Sequence, residues 1–144
     1  MLQLVRVTDA LPADFARLRG AAEAEGFHAL SRLEEEWAHE PGAFTCLLAA
    51  AEHGRLAGVG GLTPEPEPQG EPGMRLRRLY VDPAARRRGV GRSLVNALLQ
   101  EALGEGSLVT VNARDTLAPA FWAALGFRRV DGLPWTHEFR PDRH

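Results

Sequence analysis

The sequence predicts an α+β fold, with helices packed against a central mixed sheet. Three observations carry that expectation. Runs rich in β-formers, such as "LQLVRV", "MRLRRLYV" and "SLVTVNA", recur along the chain. Between them, Leu94, Val95, Leu98, Leu99, Ala102 and Leu103 return at helical spacing and form one apolar face. The order of elements is strand, two helices, three strands, helix, strand, helix and two closing strands, and no segment repeats.

Taken in order, Leu2 to Val7 forms the first strand. Two helices follow, Leu11 to Ala24, begun by "DALPADF", and Ser31 to His39, with Phe27 between them. The acidic run Glu34 to Glu36 reads as a solvated helix face. "AFTCLLAAAEHGRLAGVGGLT" is a hairpin that turns at Glu52 to Arg55. "PEPEPQGEPG", Pro64 to Gly73, has four prolines and three glutamates and predicts a mobile loop between two strands. "MRLRRLYV" is a strand, and "TLAPAFWAALGF" a short helix stopped by Gly126, with "FRRV" and "WTHEF" as closing strands.

With 144 residues the chain is the size of one ordinary domain, and residues 1–144 are expected to form it. A formal charge of −2 gives no bulk attraction to nucleic acid or membrane. The single cysteine, Cys46, lies in the apolar run "FTCLLAAA"; it excludes an intrachain disulfide and reads as a buried small hydrophobe. There is no signal-peptide pattern and no apolar run near the roughly 20 residues of a membrane span, so a cytoplasmic location is expected. All 17 basic residues are arginine.

The junction "YVDPAARRRGVGRS" concentrates the chemistry. The first N–H groups of a helix lack internal partners and carry partial positive charge, so they attract anions. Glycines let those groups converge and let a phosphate approach closely. Ser93 adds a hydroxyl in the first turn, and the arginines add charge. A dinucleotide fingerprint would need glycine where Leu94 stands, and a P-loop would need lysine where Arg92 follows Gly91. A nucleic-acid patch would interleave aromatics, which this run lacks. The pattern present is R-x-x-G-x-G, spelled by Arg86, Gly89 and Gly91 after "LYVDP".

In that block, and in "DTLAPAFWAALGFRRV", the chain resembles the GCN5-related N-acetyltransferase (GNAT) family along nearly its whole length. The resemblance implies a mostly antiparallel mixed sheet of about six to seven strands with about four helices. It implies acetyl-CoA as co-substrate, no metal, and a small-molecule or peptide amine as acceptor, with no nucleic-acid or membrane partner. An exposed C-terminal edge strand would allow a homodimer. Leu79, Tyr80 and Val81 match the strand whose backbone meets the pantetheine arm, with the Leu79 backbone as the oxyanion donor. The backbone from Arg86 through Arg87, Arg88, Gly89, Val90, Gly91 and Arg92 to Ser93 matches the pyrophosphate turn. Arg86 and either Arg87 or Arg88 are expected near the nucleotide phosphate.

The resemblance further implies direct attack of a neutral amine on the thioester in a ternary complex. Where the family often carries a tyrosine acid, this chain has Trp122, whose indole N–H donates a hydrogen bond but is no usable acid. Trp122 is read as core or as wall of the CoA channel, with a catalytic role as the alternative. Tyr80, the only tyrosine, is read as a packing residue or a proton relay. Asp115 stands where the family often has asparagine, and either caps the helix near Thr116 or bonds in the pantetheine region. The first helices and the 64–73 loop would form the acceptor side, with His28, His39, Glu34, Glu35 and His137 as candidate bases. Arg75 and Arg77 share a strand face. If that face lines the acceptor cleft, an acceptor bearing a carboxylate or phosphate follows. The second functional reading is a non-catalytic acyl-CoA sensor or partner module of the same fold.

Overall fold

The computed structural model describes residues 1–104, 108–113 and 119–141. The strands are β1 (Leu2–Arg6), β2 (Cys46–Glu52), β3 (Arg55–Pro64), β4 (Gly73–Val81), β5 (Leu108–Val111), β6 (Arg128–Arg129) and β7 (His137–Phe139). The helices are α1 (Phe15–Ala24), α2 (Ala29–His39), α3 (Val90–Gly104) and α4 (Pro119–Ala124). They appear in the predicted order. The first helix begins at Phe15 and not at Leu11, because Pro12 makes a turn whose carbonyl takes the Phe15 N–H at 2.9 Å.

The seven strands form one sheet in the order β1-β2-β3-β4-β5-β7-β6. Every neighbouring pair is antiparallel except β4 and β5, which α3 connects as a crossover. His53 (φ 51°) and Gly54 (φ 76°) make the two-residue turn of the predicted hairpin. Strand alternation divides the core between the two faces. Cys46, Leu48 and Ala50 of β2 lie beneath α3 with Leu94, Val95, Leu98 and Ala102, whereas Leu47 and Ala49 meet Leu18, Leu30 and Leu33 of α1 and α2.

Gly58 and Gly60 of β3 bring α3 close to the sheet. A Cβ at Gly58 would stand 2.9 Å from the Tyr80 carbonyl oxygen and 3.1 Å from Leu94 Cδ1. Neither the backbone of β4 nor the buried helix has room to yield. Gly58→Ala is therefore expected to lower stability by about 1–3 kcal/mol, read as a fall in the urea midpoint. An unchanged midpoint would mean that α3 lifts freely from the sheet.

Two surface expectations need correction. Glu34 and Glu36 do not belong to a purely solvated face: both are half-buried, Glu34 pairing with Arg19 and Glu36 with Arg78. The Pro64–Gly73 segment is anchored at its start, since the Glu65 side chain accepts from Arg75 Nε at 2.8 Å and from the Thr110 hydroxyl at 2.6 Å. Among the described residues, no helix is long and apolar enough to cross a membrane.

Candidate active site

The site begins where β4 and β5 part. They pair from Gly73 opposite Leu108 to Leu76 opposite Val111, and β4 then continues to Val81 with β3 alone beside it. The end of β5 is held by Thr136, whose N–H and hydroxyl both reach the Val111 carbonyl, at 3.0 and 3.2 Å. The Thr136 oxygen also accepts the Ala113 N–H at 2.9 Å.

A bulge re-phases β4 within the split. Two residues, Arg78 and Leu79, face the single Gly60 between the pairs Arg77–Gly61 and Tyr80–Val59, and Arg78 takes the left-handed conformation (φ 59°). Met74 and Leu76 lie under α3, and after the bulge Leu79 and Val81 do so again, while Tyr80 faces α1 and α2. The Asp82 N–H donates to Ala57 of β3 at 2.8 Å. The two-residue period therefore turns the Tyr80 backbone toward β3 and leaves those of Leu79 and Val81 on the open side. The Val81 carbonyl there accepts from Arg86 Nε at 3.3 Å.

Beyond β4 the chain makes a tight turn and enters α3. Asp82 accepts the Ala84 N–H at 3.0 Å and the Arg17 guanidinium at 2.8 Å, which fixes the turn. Arg87 (φ 67°) and Gly89 (φ 80°) are both left-handed. The first bond of α3 runs from Ser93 N–H to the Gly89 carbonyl at 2.9 Å. Among the described residues, no backbone N–H from Arg87 to Arg92 donates to another protein group. Residues of this stretch border a cavity of about 580 Å³ lined by Phe27, Leu79, Val81, Arg87, Gly91 and Phe121, among others. Tyr80, Arg86, Gly89, Val90 and Arg92 line it too, whereas Arg88 does not. Open space surrounds the place of a Gly89 Cβ, so conformation accounts for that glycine. A Cβ at Gly91 would touch the Phe121 ring at 3.4 Å and Val81 at 3.5 Å, ordinary contacts on the cavity wall.

The three arginines of the turn divide. Arg86 holds Glu25 through two bonds of 2.8 and 2.6 Å and lies over the Tyr80 ring, 5.6 Å from its centre. Arg88 faces Glu52 at 2.8 Å without the alignment of a hydrogen bond. Among the described residues, Arg87 and Arg92 have no carboxylate at ion-pair distance. The Tyr80 hydroxyl donates to Glu25 at 2.5 Å. The Arg86 bonds, and then that of Tyr80, hold the Glu25 carboxyl below the usual range. Burial, followed by Glu25, pushes the Tyr80 phenol far above its ordinary value.

A second cavity, of about 540 Å³, opens in the split itself, lined by Phe27, His28, Arg77, Leu79, Asn112 and Trp122 with neighbouring residues. Phe27 and Leu79 border both cavities. Trp122 is 1% exposed and stands edge-on to Phe121 and Phe127, with ring centres 5.0 and 5.2 Å away. Its N–H has no acceptor among the described residues. Asp115 lies outside the described residues. Of the candidate bases, His28 alone lines this cleft; His39 and Glu35 line a neighbouring hollow, and Glu34 serves Arg19. His137 is buried in β7 with Nδ1 2.9 Å from the Thr136 hydroxyl, and burial pushes its pKa down. The sequence reading missed Phe121, Phe27 as a shared wall, and the Glu25–Tyr80–Arg86 cluster. Only the lone aromatic between two helices hinted at any of them. Among the described residues, no three His, Cys, Asp or Glu side chains gather as a metal site.

A model of the Acetyltransferase (GNAT) family matches residues 8–127. A mycothiol acetyltransferase of Clavibacter michiganensis is 46% identical over 55 residues, which is 38% of this chain and 18% of the length of that protein. A crystal structure from Exiguobacterium sp. 255-15 superposes with a TM-score of 0.86 at 24% identity, covering 97% of this chain and 93% of its own. A GNAT family acetyltransferase from Brucella melitensis, crystallised with acetyl-CoA, gives 0.68 at 18% identity, covering 96% and 95%. At these identities the two structures establish the fold, and the family match establishes membership. The split between β4 and β5, the open N–H groups before α3 and the match over residues 8–127 lead to one conclusion: this chain belongs to the GNAT acetyltransferase family.

Proposed function

We propose that the chain moves an acetyl group from acetyl-CoA to a primary amine within a ternary complex. The observation that carries this reading is the junction at Leu79, where one unpaired stretch of β4 joins a ring of free N–H groups to a cleft. A ligand with a pyrophosphate at one end and a reactive acyl group at the other needs two such sites joined by free backbone groups.

Acetyl-CoA would supply the activated acetyl thioester. The N–H groups from Gly89 to Arg92 and the Ser93 hydroxyl would hold its pyrophosphate, with Arg87 and Arg92 countering the charge. The Val81 backbone would bond the pantetheine arm. The Leu79 N–H would face the thioester oxygen, and a donor placed there contributes roughly 3 kcal/mol to the developing oxyanion. The amine nitrogen attacks the acyl carbon, the C–N bond forms, the C–S bond breaks and the thiolate leaves. His28 is the candidate base on the cleft, and water serves the same proton.

Calorimetric titration with acetyl-CoA, CoA and ATP tests the cradle. Both CoA species should bind and ATP should not. Gly91→Val is the discriminating variant, because the backbone tolerates a side chain there while its methyls enter the cavity. Its acetyl-CoA affinity should fall about tenfold to a hundredfold; unchanged affinity would sink the assignment.

One observation favours a second reading, a non-catalytic acyl-CoA-binding module: the Tyr80 proton is committed to Glu25, and Trp122 offers no acid. Thiol release in the presence of an amine panel separates the two. Binding without release supports the module.

A further inference from the structure

The cleft in the split is lined by four arginines, Arg32, Arg75, Arg77 and Arg78, and by no carboxylate among the described residues. Two of these charges are answered from behind the wall. Arg75 is buried and bonded to Glu65 by Nε at 2.8 Å and Nη2 at 3.1 Å. Arg78 forks onto Glu36 at 2.9 and 2.7 Å.

The other two are answered weakly or not at all among the described residues. The nearest carboxylate to Arg77 is the same Glu36, 4.0 Å away and already engaged by Arg78. Arg32, on the first turn of α2, has no carboxylate at ion-pair distance among the described residues. The Arg77 side chain is only 29% exposed, and burial, then the adjacent Arg78, disfavours its charge. This crowding follows from the strand: alternation puts Arg75 and Arg77 on one face, and the bulge turns Arg78 toward it as well. Arg77 also lines the neighbouring hollow, whose exposed acids Glu35 and Glu40 do not line this cleft. A half-buried cation whose one nearby carboxylate is shared with another arginine is under-compensated, and an anion entering the cleft completes the balance.

We propose that the acceptor is a small amine that also carries an anionic group, a carboxylate or a phosphate, held in the cleft by Arg77 and Arg32. This rests on the reading of the cleft as the acceptor side of an acetyltransferase. It also sets a direction of discrimination: a polyamine, cationic at both ends, meets like charge and is excluded.

The test uses the protein saturated with CoA, so that the cradle is filled and phosphate probes report on the cleft alone. Matched probes are titrated calorimetrically: glycine against glycinamide for the carboxylate, and O-phosphoethanolamine against ethanolamine for the phosphate. At least one anionic probe should bind roughly tenfold or more tightly than its neutral twin. The pair that separates identifies the anion. In Arg77→Gln the preference should collapse while CoA affinity is unchanged, and Arg77→Lys should restore part of it. Equal binding of both twins, absence of binding by all four probes, or a preference that survives Arg77→Gln overturns the proposal. Failure of CoA to bind wild-type protein strikes the underlying cradle reading instead, and is seen before any probe is added.

Discussion

Trp122→Ala is expected to remove about 3–5 kcal/mol of stability, the range for deleting a large buried aromatic. The ring is fully buried, edge-on to two phenylalanines, and fills the corner where α4 meets the sheet beside the cleft. Against a typical total of about 5–15 kcal/mol, the variant would be marginal at 37 °C. Urea unfolding followed by far-ultraviolet circular dichroism measures it. Trp122→Phe separates packing from hydrogen bonding, because the indole N–H has no partner among the described residues. It should cost much less than alanine, and equal losses would show that the N–H is satisfied in solution.

Glu65→Ala is the second large effect, at about 3–5 kcal/mol, the cost of leaving a buried charge without its partner. Glu65 is 5% exposed and receives Arg75, the Thr110 hydroxyl and the Glu67 N–H. Burial alone would raise its pKa; the bonds from Thr110, Glu67 and Arg75 outweigh that and hold the carboxyl below its ordinary range. A depressed carboxyl contributes stability that is complete above its unfolded value, about 4.3, and disappears as pH falls through the folded value. The gap in urea midpoint between wild type and Glu65→Ala should therefore be widest near neutrality and narrow in acid. A gap that is constant with pH would place the effect in packing and not in charge.

The legible parts of the molecule were those whose signals are local. "RRRGVGRS" puts its glycines, hydroxyl and charges within one turn, so the strand-to-helix turn with its open N–H groups could be placed from residue types alone. The apolar face of α3 repeats on itself and was equally plain. What escaped depends on partners far along the chain. Glu65 looked mobile in a proline-rich stretch because composition carries no sign of Thr110, 45 residues away. Arg86 read as a phosphate ligand, and Glu25, which holds it, lies 61 residues earlier. The β4 bulge left only a faint trace, the arginine doublet that breaks alternation in "RLRRLYV", and an arginine in the left-handed region leaves no glycine to announce it.

The Arg86–Glu25 clasp reaches beyond the turn that it steadies. Glu25 ends α1 and is followed at once by Gly26, Phe27 and His28, the rim of the cleft, while Arg86 belongs to the approach to α3. One ion pair thus ties the turn before α3 to the rim of the cleft. Any ligand that draws Arg86 toward a phosphate alters the hold on that rim, and the energetics of such a tie are reciprocal. Whatever factor occupancy of the first site imposes on affinity at the second, occupancy of the second imposes on the first. The tie between the turn and the rim then runs through a single guanidinium.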